Sequence, residues 1–233
     1  MNKVWIVGGA VVVSLGLGAL IGGEHTTLKP DAQTTREVAA SGLPWLIEVL
    51  PGGGSQVMGL TLADAPRGST LADAQQRWGQ DMQIAIIAAP GEDGTLEAFV
   101  DNAQAGFING KIVLTAHLPS SDVKAMRARA IKSDFMESTT RKYTLAAADL
   151  PLVLKARITA MSFIPQANLD ATTITARFGE PAQRVRINEH LEHFLYPDKG
   201  LDIALNTEGK ELLQYVAPSQ FERLRAPLKS VQP

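Results

Sequence analysis

Residues 4–23 read VWIVGGAVVVSLGLGALIGG, a run of twenty residues without a charge. At a rise of about 1.5 Å per residue, a helix of this length crosses a hydrocarbon layer of about 30 Å. No charged side chain opposes insertion, and the six glycines of the run offset only part of what its aliphatic side chains contribute. The run therefore predicts an N-terminal transmembrane helix, with residues 1–23 as a signal anchor.

A cleaved signal peptide is the alternative interpretation of this run. Such a peptide has a shorter apolar region, of about 7–15 residues, and ends in a small-x-small cleavage site. Here Ile21 and Gly23 would form the best site, and it is a poor one. The chain has no cysteine, which excludes a lipid-modified cysteine, a disulfide frame and a thiolate metal site.

The orientation of the anchor rests on the general format of the chain. Basic residues near the two ends of the run are too evenly balanced for the positive-inside rule to decide. A three-residue head followed by a large polar region fits an export signal. We therefore predict a single-pass protein of the bacterial inner membrane whose C-terminal domain is periplasmic.

Small residues recur at every fourth position within the apolar run, so they lie along one helical face. Such a stripe allows two membrane helices to approach closely, although small residues are also simply common in these helices. The expected partner is another membrane protein or a second copy of this chain. The contact residues predicted from the stripe are Ala10, Ser14, Gly18 and Gly22.

The remaining composition is that of an ordinary folded protein. The chain is 45% hydrophobic and 20% charged, which is unlike a disordered segment. Its net charge of −2 gives no global attraction to nucleic acid, so we expect no nucleic-acid partner. Residues 24–41 are polar and rich in threonine, and they predict a linker between the anchor and the folded part.

The folded part repeats one pattern, a short helix followed by short alternating strands. An Arg-aromatic-Gly helix end occurs at residues 77–79 and again at residues 177–179, and the strand-like runs 96–99 and 191–194 follow in the same order. The predicted fold class is therefore α+β, with the transmembrane helix followed by two helix-on-antiparallel-sheet units that arose by internal duplication. The predicted units are residues 42–138 and residues 139–233.

A candidate partner surface follows from the charges and tyrosines. Residues 121–137 predict the longest helix, and the basic residues between Val123 and Ser133 have no acidic neighbour. Contact with an acidic lipid or protein is one interpretation, and a solvated helix face is the other. Core packing is likewise the alternative for two tyrosines of the second unit. The candidate surface consists of Lys124, Arg127, Arg129, Lys132, Tyr196 and Tyr215.

The second unit has a recognisable outline between residues 170 and 217. A helix ends at Gly179, Pro181 follows, then the aromatic strand at residues 194–196, and then Gly209 and Lys210. This order resembles the SmpA/OmlA (BamE-like) envelope domain, and its tandem copy resembles the doubled fold of secreted β-lactamase inhibitor proteins. The resemblance implies a periplasmic protein-contact domain. It does not imply barrel assembly, because the lipoprotein cysteine of that family is absent.

No catalytic or metal-binding constellation stands out. His190 and His193 would point to opposite faces of a strand and could not share an ion. Residues 121–124 match S-x-x-K without its companion motifs, and Ser121 is explained as a helix start. We therefore predict a protein-interaction or assembly module that is not an enzyme and needs neither metal nor cofactor. One alternative is a carrier of lipid or of a small ligand. The other is a cryptic hydrolase that brings Ser121, His117 and a carboxylate into one cleft.

Overall fold

The computed structural model describes residues 42–64, 66–79, 82–136 and 139–229. The helices in these ranges are α1 (Leu71–Trp78), α2 (Ser120–Ala128), α3 (Leu150–Val153), α4 (Ala171–Phe178) and α5 (Glu222–Lys229). The strands are β1 (Glu48–Leu50), β2 (Gly54–Val57), β3 (Leu60–Leu62), β4 (Gln83–Ala88), β5 (Thr95–Ala105), β6 (Ile108–His117), β7 (Lys132–Phe135), β8 (Arg141–Thr144), β9 (Arg157–Pro165), β10 (Gln183–Arg186), β11 (Leu191–Tyr196), β12 (Leu201–Asn206) and β13 (Leu212–Val216).

One antiparallel sheet of ten strands dominates the molecule. Its strand order is β10-β11-β12-β13-β9-β6-β5-β4-β8-β7, and β1, β2 and β3 form a second, small sheet. Strand β9 lies in the middle, where Met161 is opposite Tyr215 of β13 on one side and Leu114 of β6 on the other. Since β9 pairs with strands from both halves of the chain, the halves share one sheet. The predicted α+β class with two separate helix-on-sheet units is therefore wrong, and the fold is mostly β with short helices.

The described helices also contradict the predicted membrane architecture. None of those within residues 42–64, 66–79, 82–136 and 139–229 is long and apolar enough to cross a membrane. The nine residues of α2 span about 14 Å, less than half of a hydrocarbon layer of about 30 Å. By this finding the predictions of a transmembrane helix and of a single-pass inner-membrane location are wrong. Residues 4–23, on which they were based, and the linker 24–41 lie outside the described residues, as do Ala10, Ser14, Gly18 and Gly22.

The two predicted helix ends at residues 77–79 and 177–179 are confirmed, and both helices are also capped at their starts. Thr70 and Asp73 form a capping box at the start of α1, in which the Asp73 carboxylate accepts from the Thr70 N–H at 2.7 Å. Asp170 caps α4 by accepting from the N–H three residues later at 2.6 Å. Both helices end at a glycine with positive φ, 80° at Gly79 and 85° at Gly179.

The prediction of one long helix over residues 121–137 is wrong in its second half. Helix α2 ends at Ala128, and Lys132–Phe135 forms strand β7 against β8. The Ile131 N–H donates to the Thr144 carbonyl at 3.0 Å, which begins this pairing. A hydrogen-bonded partner strand thus outweighs the helical periodicity of these residues, a tertiary effect that local pattern does not contain.

The two faces of the large sheet are covered differently. Helices α1 to α4 and the small sheet pack on the first face and bury the main core, whose largest fully buried side chains are Tyr196, Tyr215, Phe163 and Phe194. On the second face a smaller cluster joins α5 to the sheet through Phe221, Leu228, Val185, Leu195, Val216 and Ala160. The first face therefore supplies most of the apolar burial that stabilises the fold.

Gly200 lies between β11 and β12 in a conformation that an L side chain rarely adopts. Its φ is +67°, and an added Cβ would lie 2.1 Å from the Val216 carbonyl oxygen. Gly91 also has a positive φ, +84°, but an added Cβ there meets nothing within 4 Å. An alanine at Gly91 would meet only the cost of the positive φ, whereas an alanine at Gly200 would also meet the steric clash.

We expect Gly200→Ala to lower the free energy of unfolding by about 3 kcal/mol or more, because it combines overpacking with an unfavourable φ. Gly91→Ala should cost only about 1–2 kcal/mol, the conformational part alone. Urea titrations of both variants, compared at unchanged m value, measure the difference. Equal losses in the two variants would contradict the assigned clash.

Candidate functional site

The sheet ends at β7 in an open edge that carries exposed apolar side chains. Strand β7 is last in the strand order and pairs only with β8, so within the described residues no strand lies along its other side. Ile131 is 71% exposed and Phe135 is 66% exposed. An edge with free backbone groups and apolar side chains is a template for the addition of another strand. We call residues 131–135 the β7 edge.

The side chains of the β7 edge alternate between the two faces of the sheet. Ser133 is opposite Tyr143, a first-face residue, so Ile131 and Phe135 also lie on the first face. Lys132 and Asp134 lie on the second face, with the Lys132 Nζ 2.9 Å from the Asp134 Oδ2. The β7 edge thus presents an apolar row on one face and two opposite charges on the other.

Arg141 of β8 holds the exposed ring of Phe135 in place. Its guanidinium lies 3.9 Å from the centre of that ring, and its Nη1 donates to the Ser133 Oγ at 3.1 Å. A cation over an aromatic face contributes about 0.5–1 kcal/mol at an exposed site. The ring is therefore presented in a defined position beside the strand.

The opposite end of the sheet, at β10, is protected by charge. Arg184 and Arg186 both form ion pairs with Glu192 of β11, at 3.7 and 3.5 Å, and Val185 between them is buried under α5. Charged side chains along an edge discourage pairing with another chain. Both ends of the sheet thus carry charged side chains, and they differ in their apolar ones: Val185 of β10 is buried, whereas Ile131 and Phe135 at β7 are exposed.

Two of the basic residues predicted to contact a partner bind a turn of their own chain instead. Lys124 forms an ion pair with Asp93 at 3.2 Å, and Arg127 donates to the carbonyl oxygens of Glu92 and Asp93 at 2.5 and 3.0 Å. The pKa of Asp93 is lowered by hydrogen bonds from Ser120 and Lys124. These contacts fasten α2 to the turn between β4 and β5.

The other two predicted basic residues are placed differently from each other. Arg129 donates to the Asp149 carboxylate from Nε at 3.0 Å and from Nη2 at 2.5 Å, and this hydrogen bonding raises the pKa of Arg129. Asp149 is 5% exposed, so Arg129 compensates a buried charge. Lys132 alone among the four lies on the β7 edge.

The two predicted tyrosines are buried in the main core. Each is 1% exposed, and the Tyr196 hydroxyl donates to the Gly179 carbonyl at 2.9 Å while that of Tyr215 donates to the Pro44 carbonyl at 3.1 Å. Burial raises the pKa of Tyr196 to about 12 and that of Tyr215 well above its usual value. The structure therefore places both where the packing interpretation put them, away from any surface.

The two histidines weighed as metal ligands do not converge. His193 lies inside β11, 3% exposed, with its Nδ1 2.8 Å from the Asp202 Oδ2, whereas His190 precedes the strand. Burial raises the pKa of Asp202, and the hydrogen bond with His193 opposes that rise. Within the described residues, no group of three or more histidines and carboxylates is arranged to hold a metal ion.

A cleft of about 380 Å³ opens at one end of the sheet, where β6, β9 and β13 meet α3 and α5. Its lining includes His117 and Asp64, the histidine and a carboxylate that a hydrolase would need. Ser121 is exposed on the first turn of α2 and is not part of this lining. The structure therefore does not bring the three residues of the hydrolase alternative into one cleft.

No family model, no curated protein and no solved structure matches this chain. The resemblance to the SmpA/OmlA domain consequently stays a prediction. Sequence reasoning missed the β7 edge because residues 131–135 fell inside the predicted long helix. It missed the cleft because four separate stretches of the chain contribute to the lining. The apolar–basic–Ser–acidic–apolar order of residues 131–135 was the one available signal for the edge.

Glu97 of β5 is a buried carboxyl outside both sites. It is 2% exposed, its cross-strand neighbour is Thr115, and neither the Glu97 Oε2 nor the Thr115 Oγ1 has a hydrogen-bond partner. Burial raises the pKa of Glu97 from 4.5 to about 8. The folded protein therefore retains a proton at neutral pH that the unfolded chain has released.

This difference makes a contribution to stability that depends on pH. We expect the contribution of Glu97 to lower the free energy of unfolding by about 1.4 kcal/mol per pH unit between pH 5 and 8. Glu97→Gln should remove this loss, so the free energy of unfolding of the variant should rise relative to that of the wild type as the pH rises. Urea titrations at several pH values measure the gain. Glu48→Gln, at an exposed carboxyl of β1, controls for the loss of one charge. The same pH slope in Glu97→Gln and in the wild type would contradict the assignment.

Proposed function

We propose that the chain is a protein-interaction module that assembles by strand addition at the β7 edge, and that its partner is a second copy of itself. The observation that carries this proposal is the self-complementary order of side chains along residues 131–135. The role is not catalytic and calls for no metal or cofactor. Protein contact is also what the SmpA/OmlA resemblance implies, although that resemblance remains a prediction.

Self-complementarity follows from pairing two β7 edges antiparallel about Ser133. Lys132 of each copy then lies opposite Asp134 of the other, so two intermolecular ion pairs form. Ile131 of each copy lies opposite Phe135 of the other, which places the exposed apolar side chains against one another. Directly opposed pairs of these kinds contribute about 0.2–1 kcal/mol each.

The faces of the sheet match in the same register. An antiparallel pair of identical strands is related by a two-fold axis perpendicular to the sheet, so each face continues into the same face of the other copy. The apolar pairs therefore all lie on the first face and the ion pairs on the second. A shift of one residue would instead put Lys132 opposite Phe135, which favours the register about Ser133.

The expected dimer is weak. Strand β7 has four residues, so its pairing buries less than the roughly 1,200–2,000 Å² of standard stable interfaces. Association should therefore depend strongly on protein concentration. A weak contact of this kind suits an assembly that forms where the chain is concentrated.

Charge-swap variants test the register. Lys132→Asp alone and Asp134→Lys alone each place like charges opposite each other across the two-fold axis. We expect each to weaken self-association about tenfold, the effect of two like-charge pairs of about 0.7 kcal/mol each. An equimolar mixture of the two variants places opposite charges together again, so association should return. Sedimentation equilibrium of the 24.9 kDa chain over a range of concentrations measures both effects.

Arg186→Glu, the same kind of charge reversal on the β10 edge, is the matched control and should leave self-association unchanged. Circular dichroism establishes that each variant is folded, which we expect because the substituted side chains are exposed. A wild-type chain that stays monomeric at every concentration refutes the proposal. So does a mixture of the two swap variants that associates no better than either one alone.

A further inference from the structure

The cleft at the end of the sheet is a second feature of the surface, separate from the β7 edge. Residues from the segment after β3, the end of β6, α3, the start of β9 and the start of α5 converge on its volume of about 380 Å³. That volume lies within the range of about 300–1,000 Å³ found for small-molecule sites. Such sites combine an apolar lining with a few convergent polar groups.

Basic side chains outnumber acidic ones in this lining. Lys155, Arg157 and Arg223 face a single carboxylate, that of Asp64. The Asp64 oxygens already accept hydrogen bonds from the Ser219 Oγ at 3.2 Å and from the Gln220 Nε2 at 3.0 Å. The Asp64 carboxylate therefore fastens the C-terminal segment, and none of the three cations forms an ion pair with a described residue.

The cations differ in how they are held. The Arg157 Nη1 donates to the Gly68 carbonyl at 2.5 Å, which holds that guanidinium in place and leaves its other N–H donors out of this bond. The side chains of Lys155 and Arg223 form no hydrogen bond or ion pair with any described residue. Like charges that converge on one concave surface repel each other, and a bound anion relieves that repulsion.

The rest of the lining is partly apolar, with the polar side chains of His117, Thr159 and Gln220 among it. The apolar residues are Ala63, Leu118, Leu152, Ala156 and Ala217. Leu152 is 46% exposed, unusual for a leucine beside so many charges, and its side chain borders the opening. An apolar wall facing three cations suits a ligand that has an apolar part and an anionic head group.

We propose that this cleft binds a small organic anion, a carboxylate or a phosphate monoester carried on an apolar group. Arg157 binds the head group with charge-assisted hydrogen bonds, and Lys155 and Arg223 neutralise its charge. The apolar part lies against Leu118 and Leu152. Assembly at the β7 edge does not require this site, so the two proposals stand or fall separately.

Isothermal titration calorimetry with octanoate, phenyl phosphate and inorganic phosphate tests the site on the whole chain. We expect saturable binding of at least one of the two organic anions and at least tenfold weaker binding of inorganic phosphate, which lacks the apolar part. Preference for phenyl phosphate assigns the head group as phosphate, and preference for octanoate assigns it as carboxylate. Absence of saturable binding by all three overturns the proposal.

Two variants of α5 provide a matched pair. Arg223→Gln removes a cation of the cleft and should weaken binding at least tenfold. Arg225→Gln removes a cation two residues along, one that binds Glu222 at 2.9 Å outside the cleft, and should change the affinity less than twofold. Leu152→Ser should weaken the organic anion but not inorganic phosphate. Equal losses in Arg223→Gln and Arg225→Gln would show non-specific attraction by net charge and would overturn the site.

Discussion

The pairing of β9 with β6 on one side and β13 on the other is the constraint on which the rest of the molecule depends. It joins strands far apart in the chain into one ten-stranded sheet, and it allows one face to bury a single core that includes Phe163 of β9 itself. Without this central strand, each half would be a short meander with one more open edge. The segment before β1 is fastened to the same junction, because the Tyr215 hydroxyl of β13 donates to the Pro44 carbonyl.

The two end strands of the large sheet, β10 and β7, differ in the side chains that they expose. At β10, arginine side chains pair with Glu192 of the neighbouring strand, and Val185 is buried in the cluster that includes α5. At β7, the edge has exposed apolar side chains and opposite charges in an order that complements itself. The cleft arises in another way, where the end of β6, the start of β9, α3 and the start of α5 leave a concavity whose lining includes three basic residues. Both candidate sites thus lie at the margin of the large sheet: the β7 edge along its last strand, and the cleft at the ends of its central strands.

The second face of the sheet contains buried polar side chains. Glu97 is buried without a partner for its Oε2, whereas His193 and Asp202 satisfy each other at 2.8 Å. A paired group costs little to bury, but an unpaired carboxyl is buried only at the cost of retaining its proton. The second face therefore contains Glu97, the buried carboxyl whose protonation changes on unfolding, and the first face contains most of the apolar stabilisation.

The sequence by itself determined the local elements: the capped helices at residues 71–78 and 171–178, their glycine ends, and the short strands between turns. These depend on contacts three or four residues apart, which a pattern contains. Only the tertiary structure decided that both sets of strands form one sheet, that residues 132–135 leave the predicted helix to pair with β8, and that Lys155, Arg157 and Arg223 meet in a cleft. Those outcomes depend on pairing and packing between distant segments, and a hydrophobic pattern does not specify which strand will lie beside which.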